Sequence, residues 1–213
     1  MPLFYQQDIN QTTQWALWRI EESLQDFKLP VALPANITHP NKQLQHAAGR
    51  HLLGFLRKDF AYTSLEAPLY GKPYLRDGSY EFSISHAQKW VAAIVSNEPV
   101  GIDVETYTPR VFKIAHKFIH PSEKIWMDDL LENASIWTPL HLHIFLWSAK
   151  EALYKWWGKG ALDFIRDMQV QAPHQFPEGS VAASLHAEGK TFNLQLHYKA
   201  FSDCMLVWVK SIC

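Results

Sequence analysis

The period of the apolar residues changes from strand-like to helix-like and back along this chain, a pattern that neither an all-helical nor an all-strand architecture can satisfy. From Pro40 the positions Leu44, Ala47, Ala48, His51, Leu52, Phe55 and Leu56 advance by alternating steps of three and one, the stripe of a single helix over about residues 40–58. Beside that stripe His46, Arg50 and Arg57 form a basic edge. Ahead of it, Trp15 to Ile20 reads as a short buried strand, and Glu21 to Lys28 as a short helix stopped by Pro30. Behind it lie three strand-like stretches, Tyr80 to Ser85, Trp90 to Ser96 and Val100 to Glu105, separated by turn residues and suited to a meander. Helical patterns follow around Val111 to Leu131 and His143 to Trp157, the second ending at Gly158 as a left-handed cap. Phe192, Leu194, Leu196 and Tyr198 then alternate with polar residues, with Cys204 to Val209 as a neighbouring strand. The order predicts an α+β fold, divided near residue 106 into halves 1–105 and 106–213.

At 213 residues the chain suits one compact domain or two tightly packed halves. Hydrophobic residues make up 47% and charged residues 19%, which excludes disorder as its main state. With 20 Lys and Arg against 21 Asp and Glu there is no basic field for duplex nucleic acid. Cys204 and Cys213 would close only a short loop, and this cysteine usage predicts a reduced, cytoplasmic protein. The first ten residues lack a basic region followed by an apolar one, and the longest apolar runs fall far short of the roughly 20 residues that span a bilayer.

Three clusters carry candidate chemistry. In Val100-Gly101-Ile102-Asp103-Val104-Glu105 the strand period puts Val100, Ile102 and Val104 on a buried face and Gly101, Asp103 and Glu105 on the other. Two carboxylates on one face suit Mg²⁺, a hard cation that takes oxygen ligands; the competing reading is a solvated acidic edge. On the later helix Glu151 and Lys155 stand at i and i+4, so that a carboxylate and an ammonium are presented together. Ser148 and Glu151 also have the spacing of a capping box, which would make the pair structural. Ser83-Ile84-Ser85-His86, with Gly71-Lys72-Pro73 before it, offers hydroxyl, imidazole and ammonium groups to phosphate oxygens. No zinc spacing, nucleophile elbow or Walker-type loop is present.

Taken in order, G-K-P, F-S-I-S-H, V-G-I-D-V-E and W-S-A-K-E-A-L-Y-K followed by Gly158-Lys159-Gly160 resemble the 4′-phosphopantetheinyl transferases of the Sfp type, over about Gln43 to Gly160. The resemblance implies two similar α+β halves related by a pseudo-twofold, with coenzyme A in the cleft between them. It implies Mg²⁺ held by Asp103, Glu105 and Glu151, and Lys150 and Lys155 facing the pyrophosphate or the nearby cleft. Ser85 and His86 would bind phosphate, His86 near the 3′-phosphate, and Arg50 and Lys72 would lie around the 3′-phosphoadenosine. The chain departs from many relatives at Ala87-Gln88-Lys89, where they have a small pair such as Ser-Gly. Its first 40 residues match weakly, and Glu123 sits where the family often keeps a Glu.

The activity implied is transfer of the phosphopantetheine arm of coenzyme A to a serine of an apo acyl or peptidyl carrier protein, with 3′,5′-ADP released and Glu151 as base for the serine proton. A carrier would dock along Phe112 to Trp137, and a monomer would suffice. The alternatives are an inactive coenzyme A or carrier-binding module of the same fold, and a metal-dependent nuclease. The nuclease reading is disfavoured by the charge balance and by Tyr107, where such enzymes usually carry Lys.

Overall fold

The computed structural model describes all residues except 1–2, 30, 32, 35–36, 69–70, 134–135 and 212–213. Its elements are β1 (Leu3–Asp8), β2 (Gln14–Arg19), α1 (Pro40–Leu56), β3 (Leu65–Glu66), β4 (Tyr74–Leu75), β5 (Glu81–Ala87), β6 (Trp90–Ser96) and β7 (Val100–Thr106). They continue with α2 (Arg110–Ile114), α3 (Pro121–Glu132), α4 (Pro139–Trp157), β8 (Met168–Val170), β9 (Glu178–Ala187), β10 (Lys190–Ala200) and β11 (Cys204–Lys210). This is the α+β class that the pattern predicts.

Strand alternation builds the core. One sheet runs β1-β2-β6-β5, another β7-β11-β10-β9-β8, and β3 and β4 form a small third sheet. From β2 and β6, Ala16, Trp18, Val91, Ala93 and Val95 pack under α1. The intervening Trp15, Leu17, Ala92 and Ile94 meet Ile102, Val104, Leu206 and Trp208 of the second sheet. Met205, Val207 and Val209, on the far face of β11, pack under α4. The layers are therefore helix, sheet, sheet, helix. Because both faces of β6 are covered, all seven of its residues are buried, and its sequence runs almost wholly apolar.

The expected meander is corrected. β5 and β6 do pair, but β7 leaves them and pairs antiparallel with β11, Asp103 opposite Val207. Where edge strand β5 passes edge strand β7, no backbone ladder joins them; Ser83 Oγ accepts from Ile102 N at 3.2 Å. That seam, flanked outside by α1 and α4, positions the site.

Other local expectations shift for identifiable reasons. Glu21 to Lys28 makes only a 3-10 turn, Leu24–Asp26, because the Asp26 carboxylate takes the Ser23 N–H at 2.8 Å and closes a single turn; Pro30 lies outside the described residues. The pattern from Val111 to Leu131 divides into α2 and α3, since Pro121 starts a new helix at its first position. α4 begins at Pro139, with Thr138 Oγ1 accepting from His141 N at 3.1 Å, and ends at Gly158 with φ 71°, as expected. β9 carries a weak sequence signature because Ala183 dilutes the Val181, Ala183, Leu185 alternation. Cys204 is a free, buried cysteine whose thiol burial pushes up to about 12; Cys213 lies outside the described residues. Among the described residues, no helix is long and apolar enough to cross a membrane.

Candidate active site

β7 presents Gly101, Asp103 and Glu105 away from the inter-sheet core, as its alternation requires. That face is covered rather than solvated, because α4 lies against it. Asp103 is 3% exposed, which removes the competing reading of a solvated acidic edge. From α4, Glu151 and Lys155 point toward the seam, and from β5 comes Ser85. Lys155 Nζ lies 2.7 Å from Asp103 Oδ1 and donates to Ser85 Oγ at 2.8 Å. Ser85 Oγ in turn donates to Asp103 Oδ1 at 2.7 Å. The capping-box reading of Glu151 fails here, since Ser148 is buried in the middle of α4.

The electrostatics are those of too many acids for one base. Burial first, and then the charge of Asp103, push the Glu105 and Glu151 carboxyls up to about 7. Trp147 Nε1 donates to Glu105 Oε1 at 3.1 Å and opposes part of that rise. Asp103 Oδ2 is buried with no partner. Among the described residues no three His, Cys, Asp or Glu side chains converge into a ready-made metal cage, and Lys155 sits against Asp103 Oδ1. The donor set nonetheless suits a divalent cation in its chemistry. It is all oxygen, it has an unpartnered buried carboxylate oxygen, and its two neighbouring carboxyls are held up by burial and by the charge of Asp103, both of which a cation would offset.

Beside this cluster a cleft of ≈ 320 Å³ opens between α1 and α4, lined among others by His46, Arg50, Lys72, His86, Glu151 and Lys155. Lys72, from the segment before β4, donates to Val100 O at 2.8 Å and lies 3.7 Å from Glu81, while burial brings its ammonium down to about 8. Burial, with Lys42 next, brings the His86 imidazole down to about 4. Arg50 is buried, with its backbone carbonyl accepting from Tyr62 OH. Arg57, the last member of the basic edge, turns away and donates to Thr12 O at 2.8 Å. At the β5–β6 turn Gln88 adopts φ 51°, a conformation that favours glycine, and Gln45 Nε2 holds its carbonyl at 2.9 Å. So the departure at Ala87-Gln88-Lys89 keeps a left-handed turn without a glycine.

Lys150 is the expectation that the structure overturns. It is 0% exposed, lies 2.7 Å from Glu123, and donates to the carbonyls of Phe118 and Phe164 at 2.6 and 2.7 Å. All three ammonium protons are thereby spent inside the C-terminal half, away from the cleft. Glu123 also accepts from His120 N at 2.8 Å and Val170 N at 2.9 Å, so this carboxylate caps α3 and ties it to α4 and β8. Burial raises the Glu123 pKa and lowers that of Lys150, and their mutual attraction opposes both shifts. Lys150→Met leaves the carboxylate buried without its cation, and is expected to cost about 3 kcal/mol in chemical denaturation. An unchanged midpoint would show that the pair contributes nothing.

Residues that sequence reasoning did not assign are Trp147, which orients Glu105, and Tyr154 and Gln45, which line the cleft. In the sequence His46 stands out only as one member of a basic edge.

The model of the 4′-phosphopantetheinyl transferase superfamily matches residues 99–206 of this chain. The chain is 40% identical over 91 residues to the 4′-phosphopantetheinyl transferase gsp of Aneurinibacillus migulanus, covering 43% of this chain and 36% of that relative. It is 30% identical over 135 residues to the 4′-phosphopantetheinyl transferase Sfp of Bacillus subtilis, covering 63% and 51%. With a putative 4′-phosphopantetheinyl transferase of Haemophilus influenzae it shares 32% identity over 129 residues, covering 57% and 52%. The matched stretches thus span between about a third and a half of these relatives' own length.

Proposed function

The chain belongs to the 4′-phosphopantetheinyl transferase superfamily, and on that premise we propose that it transfers the 4′-phosphopantetheine arm of coenzyme A to a serine of an apo acyl or peptidyl carrier protein. What supports this reading is one juxtaposition: the Asp103, Ser85, Lys155 and Glu151 cluster borders a cleft whose other groups include Arg50, His86 and Lys72. A pyrophosphate placed at Lys155 with its nucleotide end toward Arg50 would satisfy both.

In the reaction proposed, the carrier serine Oγ bonds to the β-phosphorus of coenzyme A, the bond from that phosphorus to the bridging oxygen breaks, and 3′,5′-ADP leaves with the electron pair. Lys155 neutralises charge growing on the phosphoryl oxygens. Glu151, whose carboxylate borders the cleft, accepts the serine proton. Asp103, Glu105 and Glu151 would hold Mg²⁺, which when bound supplies charge stabilisation to the pyrophosphate. Ser85 and Trp147 orient the carboxylates through the contacts described above. Lys150 is left out of this cofactor-binding set, since its ammonium is fully engaged elsewhere.

For the carrier, an acidic helical partner, the proposed dock is the face of α2 and α3. There Phe112 and Ile125 are exposed, as are Lys113 on α2 and Lys117 in the turn that follows it, while Lys124 is paired with Asp128 at 2.8 Å. One chain supplies both walls of the cleft, so a monomer suffices, and a cytoplasmic setting fits the substrates. The test is incubation with coenzyme A, Mg²⁺ and an apo carrier protein, followed by intact mass of the carrier. The expected result is a gain of one phosphopantetheine. A carrier of unchanged mass, alongside measurable coenzyme A binding, would leave only the inactive binding module.

A further inference from the structure

The end of the cleft nearest α1 holds more positive charge than its surroundings answer. Arg50 is 8% exposed, and among the described residues it has no carboxylate partner. Its Nη1 meets His46 Nδ1 at 3.2 Å and His46 O at 3.4 Å, and its Nε is buried with no partner at all. A guanidinium taken out of water in this way calls for an anion from outside the chain.

His46 is the group best placed to meet that anion together with Arg50. Guanidinium can only donate, so His46 Nδ1 is the acceptor of their contact, and a proton on the neutral ring is left at Nε2. The ring stands 5.9 Å, centroid to centroid, from that of His86 on β5, and both line the cleft. The charges that depress the two rings are cationic, Arg50 and Lys42 for His46 and Lys42, His46 and Lys155 for His86, while among the described residues the one carboxyl lining the same cleft is Glu151 on α4. Burial and these charges hold both imidazoles below their usual pKa, so both stand neutral until an anion arrives.

We infer that His46 is a specificity-determining residue of this site, contacting a phosphate monoester beside Arg50 and His86 so that a ligand bearing that group is held in preference to the same ligand without it. A monoester carries close to two charges at neutral pH, whereas a diester carries one. Only the second charge offsets the cost of charging an imidazole in so cationic a place, and the proton taken up goes to His46 Nδ1 as Arg50 Nη1 leaves it for the phosphate. This inference rests on the reading of coenzyme A as substrate, whose 3′-phosphate is its monoester.

Isothermal titration of wild type, His46→Ala and His46→Asn with coenzyme A and with 3′-dephospho-coenzyme A, in two buffers of different ionisation heat, tests it. Wild type should prefer coenzyme A and take up protons on binding it. Both variants should bind coenzyme A about tenfold more weakly, take up fewer protons, and bind the dephospho form unchanged. Asn retains an acceptor for Arg50 near the Nδ1 position but cannot gain a proton, so it separates direct contact from mere positioning of Arg50. His46 is only half-buried, so a thermal melt of each variant should match wild type. Equal weakening of both ligands, full recovery in His46→Asn, or an undiminished preference in both variants would overturn the assignment while leaving coenzyme A binding intact. A wild type that binds neither ligand would overturn the functional reading, and this inference with it.

Discussion

Glu151→Gln is expected to give a folded protein whose phosphopantetheine transfer is down by about 10³-fold in kcat/KM. The fold should tolerate it because the amide has the shape of the carboxyl and because Glu151 is held near neutrality by burial and by the charge of Asp103. Removing the charge relieves that repulsion, so the melting temperature should stay level or rise slightly. The chemistry should not tolerate it. An amide cannot accept the serine proton, and it withdraws one of the charges that would hold a divalent cation. A capping role for Glu151 cannot rescue the conservative variant, since α4 starts at Pro139, well before Ser148. Thermal melts and carrier mass on the same preparation check it: transfer within about tenfold of wild type would remove Glu151 from the catalytic set.

The alternation in Val100 to Glu105 correctly told which residues share a face, because the strand period is fixed by backbone geometry. It could not tell what covers each face. A polar face under a helix and a polar face in water read alike until the helix is placed, which is why Asp103 looked exposed and is not. Strand partners were hidden for a similar reason. β7 pairs with β11, about a hundred residues away, and nothing local to β7 distinguishes that partner from the adjacent β6.

Lys150 was separable in principle. Successive residues on a helix point about 100° apart, so Lys150 and Glu151 cannot both face one cleft, whereas Glu151 and Lys155 at i and i+4 can. Once Glu151 and Lys155 are given to the seam, Lys150 must point elsewhere, and Glu123, noted but given no role, is where it goes. The resemblance carried Lys150 into the cleft against that geometry. Arg50, Lys72 and His86 line the cleft, and Ser85 lies against Asp103 at its border.

Gly101→Ala should be the most damaging single-methyl change in the molecule. In the sequence Gly101 is a side-chain-free position on the same strand face as two carboxylates. In the structure that space belongs to α4. A Cβ built on Gly101 would lie 2.0 Å from Ala152 O and 2.7 Å from Trp156 N, both main-chain atoms of a helix that cannot yield as a flexible side chain would. Gly179, by contrast, would meet chiefly the Tyr198 and Gln175 side chains, which can move. To admit the methyl, α4 must lift from β7, and with it go the packing of Ala149, Ala152 and Leu153 and the contact of Lys155 with Asp103. Overpacking of flexible cores costs about 1–3 kcal/mol, and a rigid backbone clash should exceed that, to about 4 kcal/mol or more. The expected observation is either no folded protein or a midpoint in chemical denaturation far below wild type. Any folded fraction should have lost transfer through displaced Glu151 and Lys155. A Gly101→Ala protein with wild-type stability would mean that α4 does not rest on β7 at this distance, and that the seam described above is drawn too tight.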